Sequence, residues 1–282
     1  MNGIYLAKIL ANNKNVLVFT NGDKYSTVEL FFPEVNSFSK FLNLPVEKII
    51  ISESDLKNKI PLDVNFLDLI EDQHIFATGC TYQWSPGQLD STSDNDVYKM
   101  LYLNERSMFF YKGNKLNCAK IFEPIGVRAD AKITIPEAEL VAVFNCAGDI
   151  IGYTIGNDVT ALDLEKQNPL YQAQAKFYKG SVALLPLIRL GGEFPKTNLK
   201  CSVFRAGKSI VETTYNTQNF NRDTEELLKQ LKRSELNPSG GFLFLGCGIP
   251  YPVEFGLIED DLVKIESDIF PLTLQNTCSK IG

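Results

Sequence analysis

Three acidic residues in the middle of the chain have the spacing of a metal-binding site. Glu137 and Glu139 are two positions apart, so on a β-strand their carboxylates would point to the same face. Carboxylates that lie this close need a proton or a cation between them. A third carboxylate, Asp158, follows about one strand and one turn later. Three hard oxygen ligands around one point suit Mg²⁺, with Mn²⁺ or Ca²⁺ as alternatives, better than Zn²⁺.

The segments beside these acids have the composition of strands. The apolar run 140–144 predicts a buried strand, and 150–155 predicts a second one. The intervening residues 145–149 are typical of a turn, in which Gly148 supplies conformational freedom. If these strands pair, Asp158, just past the second strand, faces the two glutamates. An arbitrary E-x-E is more typical of a solvated strand edge, but here both glutamates adjoin a strongly apolar segment.

A divalent ion held by such a triad would support one class of chemistry. It keeps open coordination positions, which the carboxylate and keto oxygens of an α-keto acid can occupy. Coordination makes the C–H next to the keto group acidic. Loss of that proton allows water to leave if the next carbon carries a hydroxyl, and C–C cleavage if it carries an acyl group. The triad alone therefore fits dehydratases, hydrolases and decarboxylases.

The composition of the chain excludes other function classes. Its 282 residues suffice for one large domain or one domain with a small appendage. A net charge of −6 argues against a nucleic-acid partner. No apolar run approaches the ~20 residues of a membrane helix, and the first residues lack the pattern of a signal peptide. The six cysteines are scattered without a C-x-x-C pair, which favours reduced thiols in a cytoplasmic protein.

Short strands dominate the predicted secondary structure, and the expected fold is mostly β with an α+β character. Strands are expected at 75–78, 108–111, 140–144, 150–155, 182–187, 200–205, 209–215, 241–245 and 262–265. The clearest helix is 224–233, which Asp223 can cap. Residues 1–70 are predicted to form a small N-terminal α+β domain, with a hairpin turn at Asn21 and Gly22, and residues 71–282 the catalytic domain.

Several motifs of the chain resemble the fumarylacetoacetate hydrolase family. They lie at 123–128, 136–140, 152–161, 163–165, 168–171 and 175–176, while 79–82 and 96–98 are most similar to its sugar-acid branch, the 2-keto-3-deoxy-arabinonate dehydratases. The resemblance covers roughly residues 71–282. It implies a β-roll of mixed sheets, a homo-oligomer and a Mg²⁺-dependent lyase. The implied reaction is the dehydration of a 2-keto-3-deoxy sugar acid, of the 2-dehydro-3-deoxy-D-arabinonate type, through a metal-chelated enolate.

The same resemblance implies roles for individual residues. Lys176 would occupy the family's catalytic lysine position, although by itself it would be taken for a surface lysine. A lysine near a divalent cation in a partly dry site has a lowered pKa, so it can act as a base. Glu137, Glu139 and Asp158 would bind the metal. The implied substrate-binding residues are Thr81, Tyr82, Arg106, Gly246 and Cys247.

Departures from the family pattern leave alternatives open. The positions of a His and Glu pair found in hydrolase members hold Ser85 and Gln88, which disfavours an acylpyruvate-type C–C hydrolase or decarboxylase. An acid, an arginine and a threonine of the family are replaced by Met108, Leu162 and Cys247. Changes around a metal site typically lower activity or affinity about 10–100-fold each. A catalytically altered member that binds a metal and an α-keto acid is therefore the alternative reading.

Overall fold

Strands make up most of the regular structure, as the short apolar runs predict. The computed structural model describes residues 3–11, 13–61, 64–82, 97–235, 239–249, 252 and 255–282, with 97–99 described by their backbone. The strands of the first half are β1 (Tyr5–Ala11), β2 (Lys14–Thr20), β3 (Lys24–Thr27), β4 (Asn58–Lys59), β5 (Phe66–Leu67), β6 (His74–Ala77), β7 (Phe110–Gly113), β8 (Cys118–Ala119), β9 (Ile125–Arg128) and β10 (Thr134–Ile135). Those of the second half are β11 (Ala138–Phe144), β12 (Ile150–Asp158), β13 (Thr160–Ala161), β14 (Val182–Leu184), β15 (Leu187–Leu190), β16 (Asn198–Arg205), β17 (Lys208–Asn216), β18 (Gly241–Phe244), β19 (Leu262–Ser267) and β20 (Leu274–Ile281).

Helices are short. The α-helices are α1 (Phe38–Phe41), α2 (Val97–Leu103), α3 (Leu162–Gln167), α4 (Gln172–Lys176) and α5 (Thr224–Lys232), and 3₁₀ turns occur at Val28–Leu30, Val46–Lys48, Glu53–Asp55, Pro169–Tyr171 and Thr217–Asn219. The predicted cap of α5 is confirmed, since the Asp223 carboxylate accepts a hydrogen bond of 3.0 Å from the Glu226 N–H. Among the described helices, none has the length and apolar character to cross a membrane.

The largest sheet joins strands from both ends of the chain. Its order is β4-β3-β2-β1-β15-β12-β11-β18-β6-β7, with β14 and β8 attached beside β12 and β5 beside β1. A second sheet has the order β17-β16-β19-β20-β9, and β10 pairs with β13. Strands from the first 70 residues thus hydrogen-bond to strands of the remainder through β1 and β15. The division of the chain at residue 70 stays a prediction.

The large sheet carries a separate apolar core on each face, because successive side chains of a strand alternate between faces. From β11, Leu140 and Ala142 pack in the core that includes Cys201 and Val263 of the second sheet. Their neighbours Val141 and Val143 pack in the other core, which includes Phe38 and Phe41 of α1. Glu137 and Glu139 have the same parity as Val141, so they belong to the face that the N-terminal helix covers further along the sheet.

Most predicted strands are confirmed, with shifts at their ends. The expected strand at 108–111 is observed as β7 (Phe110–Gly113), and the single strand expected at 182–187 is divided into β14 and β15. Pro186, which lacks a backbone N–H for a ladder, lies between the two parts. The hairpin turn is also confirmed, since the Asn21 side chain accepts hydrogen bonds from the N–H groups of Asp23 and Lys24.

Candidate metal centre

The register between β11 and β12 brings the three predicted acids together. Glu139 lies opposite Gly156, and the Asp158 N–H donates to the Glu137 carbonyl at 2.9 Å. Glu137, Glu139 and Asp158 are therefore on one face of two adjacent strands, with one carboxylate oxygen of each within 4.8 Å of the others. Asp158 is the last residue of β12, whereas the sequence placed it just beyond that strand.

Lys176, at the end of α4, reaches into this triad. Its Nζ donates to Glu137 Oε2 at 2.7 Å, to Asp158 Oδ2 at 3.2 Å and to Thr160 Oγ1 at 2.6 Å. The Thr160 hydroxyl in turn donates to the Asp158 carbonyl at 3.0 Å, so its oxygen is left as an acceptor for the lysine. The side chain of Lys176 is 5% exposed. The structure thus brings Lys176 to the predicted acids rather than to the surface.

A second lysine, which the sequence reasoning did not select, lies on the other side of Asp158. Lys112 Nζ is 2.6 Å from Asp158 Oδ1, and its side chain is completely buried. The sequence offered a signal for it, since Lys112 stands among Phe109, Phe110 and Tyr111, where a charged residue is unusual for a buried strand. Asp158 therefore has a lysine on each carboxylate oxygen.

Burial and mutual repulsion shift the protonation equilibria of the acids. Burial raises the pKa of Glu137 to about 7, with Lys176 opposing the shift and Asp158 adding to it. Burial, together with the charges of Asp158 and Glu137, raises the pKa of Glu139 well above its usual value. Acids in such an environment are stabilised either by protons or by a cation, so protons and a metal ion would compete for them.

The two lysines respond differently to the same surroundings. Burial lowers the pKa of Lys112, against the attraction of Asp158. For Lys176, burial also acts to lower the pKa, but the carboxylates of Asp158 and Glu137 outweigh it and raise the pKa well above the usual value. The lowered pKa that the sequence suggested for Lys176 therefore requires a cation to neutralise those carboxylates.

The loop after β18 contributes a backbone group to Glu139. Gly246 N–H donates to Glu139 Oε2 at 2.7 Å. Gly246 has φ +92°, and a Cβ there would lie 2.3 Å from Thr81 Oγ1. Thr81 itself donates from Oγ1 to the Leu245 carbonyl. Because β6 and β18 are parallel neighbours, the loops that follow them leave the sheet at the same edge, which is the edge where Glu139 lies.

The other predicted substrate residues differ in how deeply they are buried. Tyr82 is buried, with its ring edge-on to Tyr215 at 5.0 Å between centroids. Cys247 is half-buried, and burial, with the charges of Glu137 and Glu139, raises the pKa of its thiol well above the usual value. Arg106 is exposed on the loop between α2 and β7, so the structure does not bring it into the described cluster.

Two of the residues that depart from the family pattern, Met108 and Leu162, are apolar. Met108 Sδ accepts a hydrogen bond of 3.6 Å from Gln172, and its methyl group covers Gly79, where a Cβ would lie 2.7 Å from Met108 Cε. Leu162 begins α3 and is half-buried. Ser85 and Gln88 lie outside the described residues, so their correspondence to the His and Glu pair of hydrolase members stays a prediction.

The donor set fits a hard divalent cation. Three carboxylates, of which Glu139 and Asp158 are about 1% exposed, supply oxygen ligands without a thiolate or an imidazole among them. Burial, with repulsion among the acids, raises the pKa values of Glu137 and Glu139, so a bound cation would stabilise their ionised forms. Glu137, with a side chain 17% exposed, marks the side from which a small molecule can approach.

Known proteins similar to this chain are sugar-acid dehydratases. It is 31% identical over 211 residues to the 2-dehydro-3-deoxy-D-arabinonate dehydratase of Saccharolobus solfataricus, covering 72% of this chain and 71% of that protein. It is 30% identical over 200 residues to the probable 2-keto-3-deoxyxylonate dehydratase of Haloferax volcanii, covering 70% and 69%. No protein-family model matches the sequence.

Solved structures confirm the predicted fold class. A 2-keto-3-deoxy-D-arabinonate dehydratase complexed with magnesium and 2,5-dioxopentanoate superposes with a TM-score of 0.81 at 24% identity, covering 98% of this chain and 99% of that one. A fumarylacetoacetate hydrolase from Exiguobacterium antarcticum gives a TM-score of 0.72 at 16% identity, covering 99% and 100%. Together with the identity to the Saccharolobus enzyme, these likenesses show that the chain belongs to the fumarylacetoacetate hydrolase family, in its 2-keto-3-deoxy-D-arabinonate dehydratase branch.

Proposed function

We propose that the protein is a Mg²⁺-dependent hydro-lyase that dehydrates a 2-keto-3-deoxy sugar acid, with 2-dehydro-3-deoxy-D-arabinonate as the substrate type. The observation that carries the proposal is the position of Lys176 Nζ, 2.7 Å from Glu137 Oε2 and 3.2 Å from Asp158 Oδ2, inside a triad of acids. A lysine beside carboxylates that could hold a divalent ion is suited to removing a proton next to a keto group. Similarity to two dehydratases selects this reaction among those the triad permits.

The three acids are proposed as the metal ligands. Glu137, Glu139 and Asp158 would hold Mg²⁺, with Mn²⁺ or Ca²⁺ as alternatives of the same ligand preference. When bound, the divalent ion supplies positive charge that polarises the substrate's keto group and balances the carboxylates that otherwise hold Lys176 as an ammonium.

Lys176 is proposed as the group that moves the protons. As a free amine it accepts the C3 proton at Nζ, and as an ammonium it returns a proton to the C4 hydroxyl, which leaves as water. The C3–H and C4–O bonds break and a C3–C4 double bond forms. A proton then leaves C5 and a proton is added at C3, which gives the C4–C5 enol. Transfer of the enol hydroxyl proton to C4 gives the aldehyde of 2,5-dioxopentanoate. Thr160 accepts from Lys176 throughout and keeps Nζ directed toward the site.

The substrate would be held by groups along the same edge of the sheet. Thr81, Tyr82, Gly246 and Cys247 lie in the segments after β6 and β18, and Gly246 donates a hydrogen bond to Glu139. Arg106 is exposed, and we propose it as a substrate contact on the family resemblance alone. D-arabinonate and D-xylonate differ at C2 and C3, and both stereocentres are absent from the keto-deoxy acids. The site therefore has C4 as the remaining stereocentre to recognise.

Turnover of the proposed substrate tests the function directly. The protein is incubated with Mg²⁺ and 2-dehydro-3-deoxy-D-arabinonate, and the formation of 2,5-dioxopentanoate is followed. We expect product with the unmodified protein, none above background with Lys176→Ala, and none after removal of metal with EDTA. Lys179→Ala is the matched control, since Lys179 is an exposed lysine three positions away and its loss should leave turnover unchanged. Equal rates for the Lys176→Ala and unmodified proteins would refute the assignment.

A second candidate is a family member that binds an α-keto acid without turning it over. The specific observation in its favour is Met108, whose thioether and methyl group occupy the surface over Gly79 and cannot transfer a proton. Calorimetric titration with oxalate and pyruvate in the presence of Mg²⁺ separates the candidates. Tight oxalate binding with no reaction across a panel of keto-deoxy acids would favour the binding protein, and release of pyruvate from acylpyruvates would favour a hydrolase.

Two further properties are proposed with the function. A cytoplasmic location is supported by six free cysteines, which suit a reducing compartment. A homo-oligomer is proposed on the family resemblance, and light scattering of the purified protein tests it.

A further inference from the structure

We propose that Lys112 is a positioning residue that sets the geometry of Asp158 and Lys176 together. This inference rests on the proposed function, since it concerns the same site. It assigns to Lys112 no contact with substrate. Its role is to hold one metal ligand and the backbone of the base in a fixed relation.

Lys112 Nζ has three protein oxygens around it, two in hydrogen bonds and one in an ion pair. Its Nζ lies 2.6 Å from Asp158 Oδ1, and it donates to the Val159 carbonyl at 3.1 Å and to the Lys176 carbonyl at 2.6 Å. One ammonium thus connects the end of β12 with the end of α4. An ammonium has three donors, so none is left for a substrate atom.

Because Lys112 is buried, its charge depends on these contacts. Lys112 is 0% exposed, and an unpaired charge at such depth is very unfavourable. The lysine must therefore keep its partners, and Asp158 is held with Oδ1 turned toward Lys112. The second oxygen, Oδ2, is the one that faces Lys176 at 3.2 Å. Lys112 thereby decides which carboxylate oxygen Asp158 presents to the triad.

The strand that carries Lys112 is itself anchored. Asn117 Nδ2 donates to the Lys112 carbonyl at 3.0 Å and to Ser181 Oγ at 2.9 Å. The next residue, Gly113, has φ +154°, and a Cβ there would lie 2.0 Å from Asn117 Oδ1. A glycine is needed at this position so that Asn117 can approach the strand. The position of Lys112 is therefore preset before any ligand binds.

Phe110, two positions before Lys112 on β7, also contacts the site. Phe110 shares a strand face with Lys112, and its ring centroid lies 5.7 Å from Lys176 Nζ. One strand thus contacts both the metal-ligand side and the base side of the site. Tyr111, which points to the other face, is 38% exposed.

The charge balance shows why a lysine is suited to this position. Glu137, Glu139 and Asp158 bring three negative charges when ionised, and the two lysines bring two positive charges. A divalent ion would change the total to +1, which the carboxylate of a keto acid neutralises. A neutral residue at 112 would leave Asp158 Oδ1 without its ion pair. The substrate carboxylate would then add a negative charge to an already balanced site.

Binding of Mn²⁺ to the metal-free protein tests the proposal without relying on turnover. Mn²⁺ is titrated into unmodified protein, Lys112→Met and Lys8→Met, and bound metal is followed by electron paramagnetic resonance. Lys8 is the matched control, because it makes a 2.9 Å ion pair with Glu71 and its side chain is 13% exposed. We expect Lys112→Met to weaken Mn²⁺ binding at least about tenfold and to alter the bound spectrum. Lys8→Met should lower the melting temperature and leave Mn²⁺ affinity unchanged.

A milder variant covers the case in which Lys112→Met does not fold. Asn117→Ala removes the donor to the Lys112 carbonyl and touches neither the acids nor Lys176. We expect a loss of Mn²⁺ affinity of a few-fold, with kcat on the keto-deoxy acid falling more than KM rises. Unchanged or tighter Mn²⁺ binding in both variants would overturn the proposal and show Lys112 to be a structural counter-charge. Absence of turnover in the unmodified protein, with the Mn²⁺ effects intact, would refute the proposed function and leave the role of Lys112 standing.

Discussion

The backbone N–H of Gly246 donates a hydrogen bond of 2.7 Å to Oε2 of Glu139, across 107 positions of the chain. This bond orients a buried carboxylate that has the backbone of a neighbouring loop as its partner. Gly246 can serve because it has no side chain. Its φ is +92°, and a Cβ would lie 2.3 Å from Thr81 Oγ1.

Replacing Gly246 with alanine should therefore disturb both the fold and the site. We expect Gly246→Ala to lower the free energy of unfolding by about 1–3 kcal/mol, from the positive φ and the crowding of Thr81. Mn²⁺ affinity should fall about tenfold because the loop must shift to relieve the contact with Thr81, which moves the N–H of residue 246 away from Glu139. Denaturant unfolding and Mn²⁺ titration measure the two effects.

A second glycine provides the control for this substitution. Gly207 has φ +77°, with nothing within 4 Å of a Cβ. Gly207→Ala should cost about 1 kcal/mol of stability and leave Mn²⁺ binding unchanged. Equal losses of Mn²⁺ affinity in the two variants would contradict the orienting role of Gly246.

Metal affinity should depend on pH in the neutral range. Burial raises the pKa of Glu137 to about 7 and raises that of Glu139 as well, so protons compete with the cation below neutrality. We expect Mg²⁺ affinity to rise about tenfold or more between about pH 6 and pH 8, with release of protons on binding. Calorimetry in two buffers of different ionisation enthalpy counts those protons.

The free energy of unfolding of the metal-free protein should decrease as the pH rises towards neutrality. A carboxyl whose folded pKa lies above its unfolded value binds protons more tightly when folded. The contribution of Glu137 to the free energy of unfolding therefore decreases as the pH rises from 4.5, the ordinary pKa of a glutamate, to about 7. In EDTA, Glu137→Gln should gain stability over the unmodified protein as the pH rises through this window. A constant difference between the two proteins from pH 4.5 to 7 would rule out the raised pKa.

Thr160 should matter for the rate more than for metal binding. Its hydroxyl accepts from Lys176 Nζ at 2.6 Å and donates to the Asp158 carbonyl at 3.0 Å. We expect Thr160→Val to lower kcat about 10–100-fold, equivalent to the ~1.5–3 kcal/mol of a hydrogen bond to a charged group. Thr160→Ser keeps the hydroxyl and should retain most of the activity. Steady-state kinetics, with Mn²⁺ binding as the parallel readout, tests this; a similar loss in both variants would indicate a packing role.

Glu71 should stabilise the fold at a distance from the site. It accepts from Lys8 Nζ at 2.9 Å and from the Ser39 N–H at 3.0 Å, at the start of α1. Burial acts to raise its pKa, but these donors outweigh it and lower the pKa below the usual 4.5. The stabilisation is therefore present above the unfolded pKa and is lost as the pH falls through the folded value.

Removal of this carboxylate gives the corresponding test. Glu71→Ala should lower the free energy of unfolding by about 2 kcal/mol at pH 7, since the hydrogen bonds that the carboxylate accepts from Lys8, Phe38 and Ser39 are lost. The difference from the unmodified protein should shrink in acid, and Mn²⁺ affinity should not change. Denaturant unfolding at several pH values measures the stability difference, and Mn²⁺ titration measures the affinity. A loss that is independent of pH would assign the effect to packing.

The sequence by itself determined the features that depend on short spacings. Glu137 and Glu139 share a face because a strand repeats every two residues, and this holds wherever the strand lies. The cap at Asp223 was likewise readable, because its partner, the Glu226 N–H, is three positions away. The resemblance of the central motifs then singled out Lys176 and the family. The limits of β14 and β15 were missed because Pro186 interrupts a run that is apolar throughout.

The tertiary structure decided which distant groups complete the site. Lys112 lies on β7, the edge strand of the large sheet beside β6. From there its side chain reaches the carbonyls of Val159 and Lys176, which are 47 and 64 positions away in the sequence. The aromatic residues before Lys112 mark it as unusual for a buried strand, but the local pattern does not identify the distant groups with which it pairs. The order of strands in a sheet depends on which apolar faces pack together, and that is a property of the whole chain.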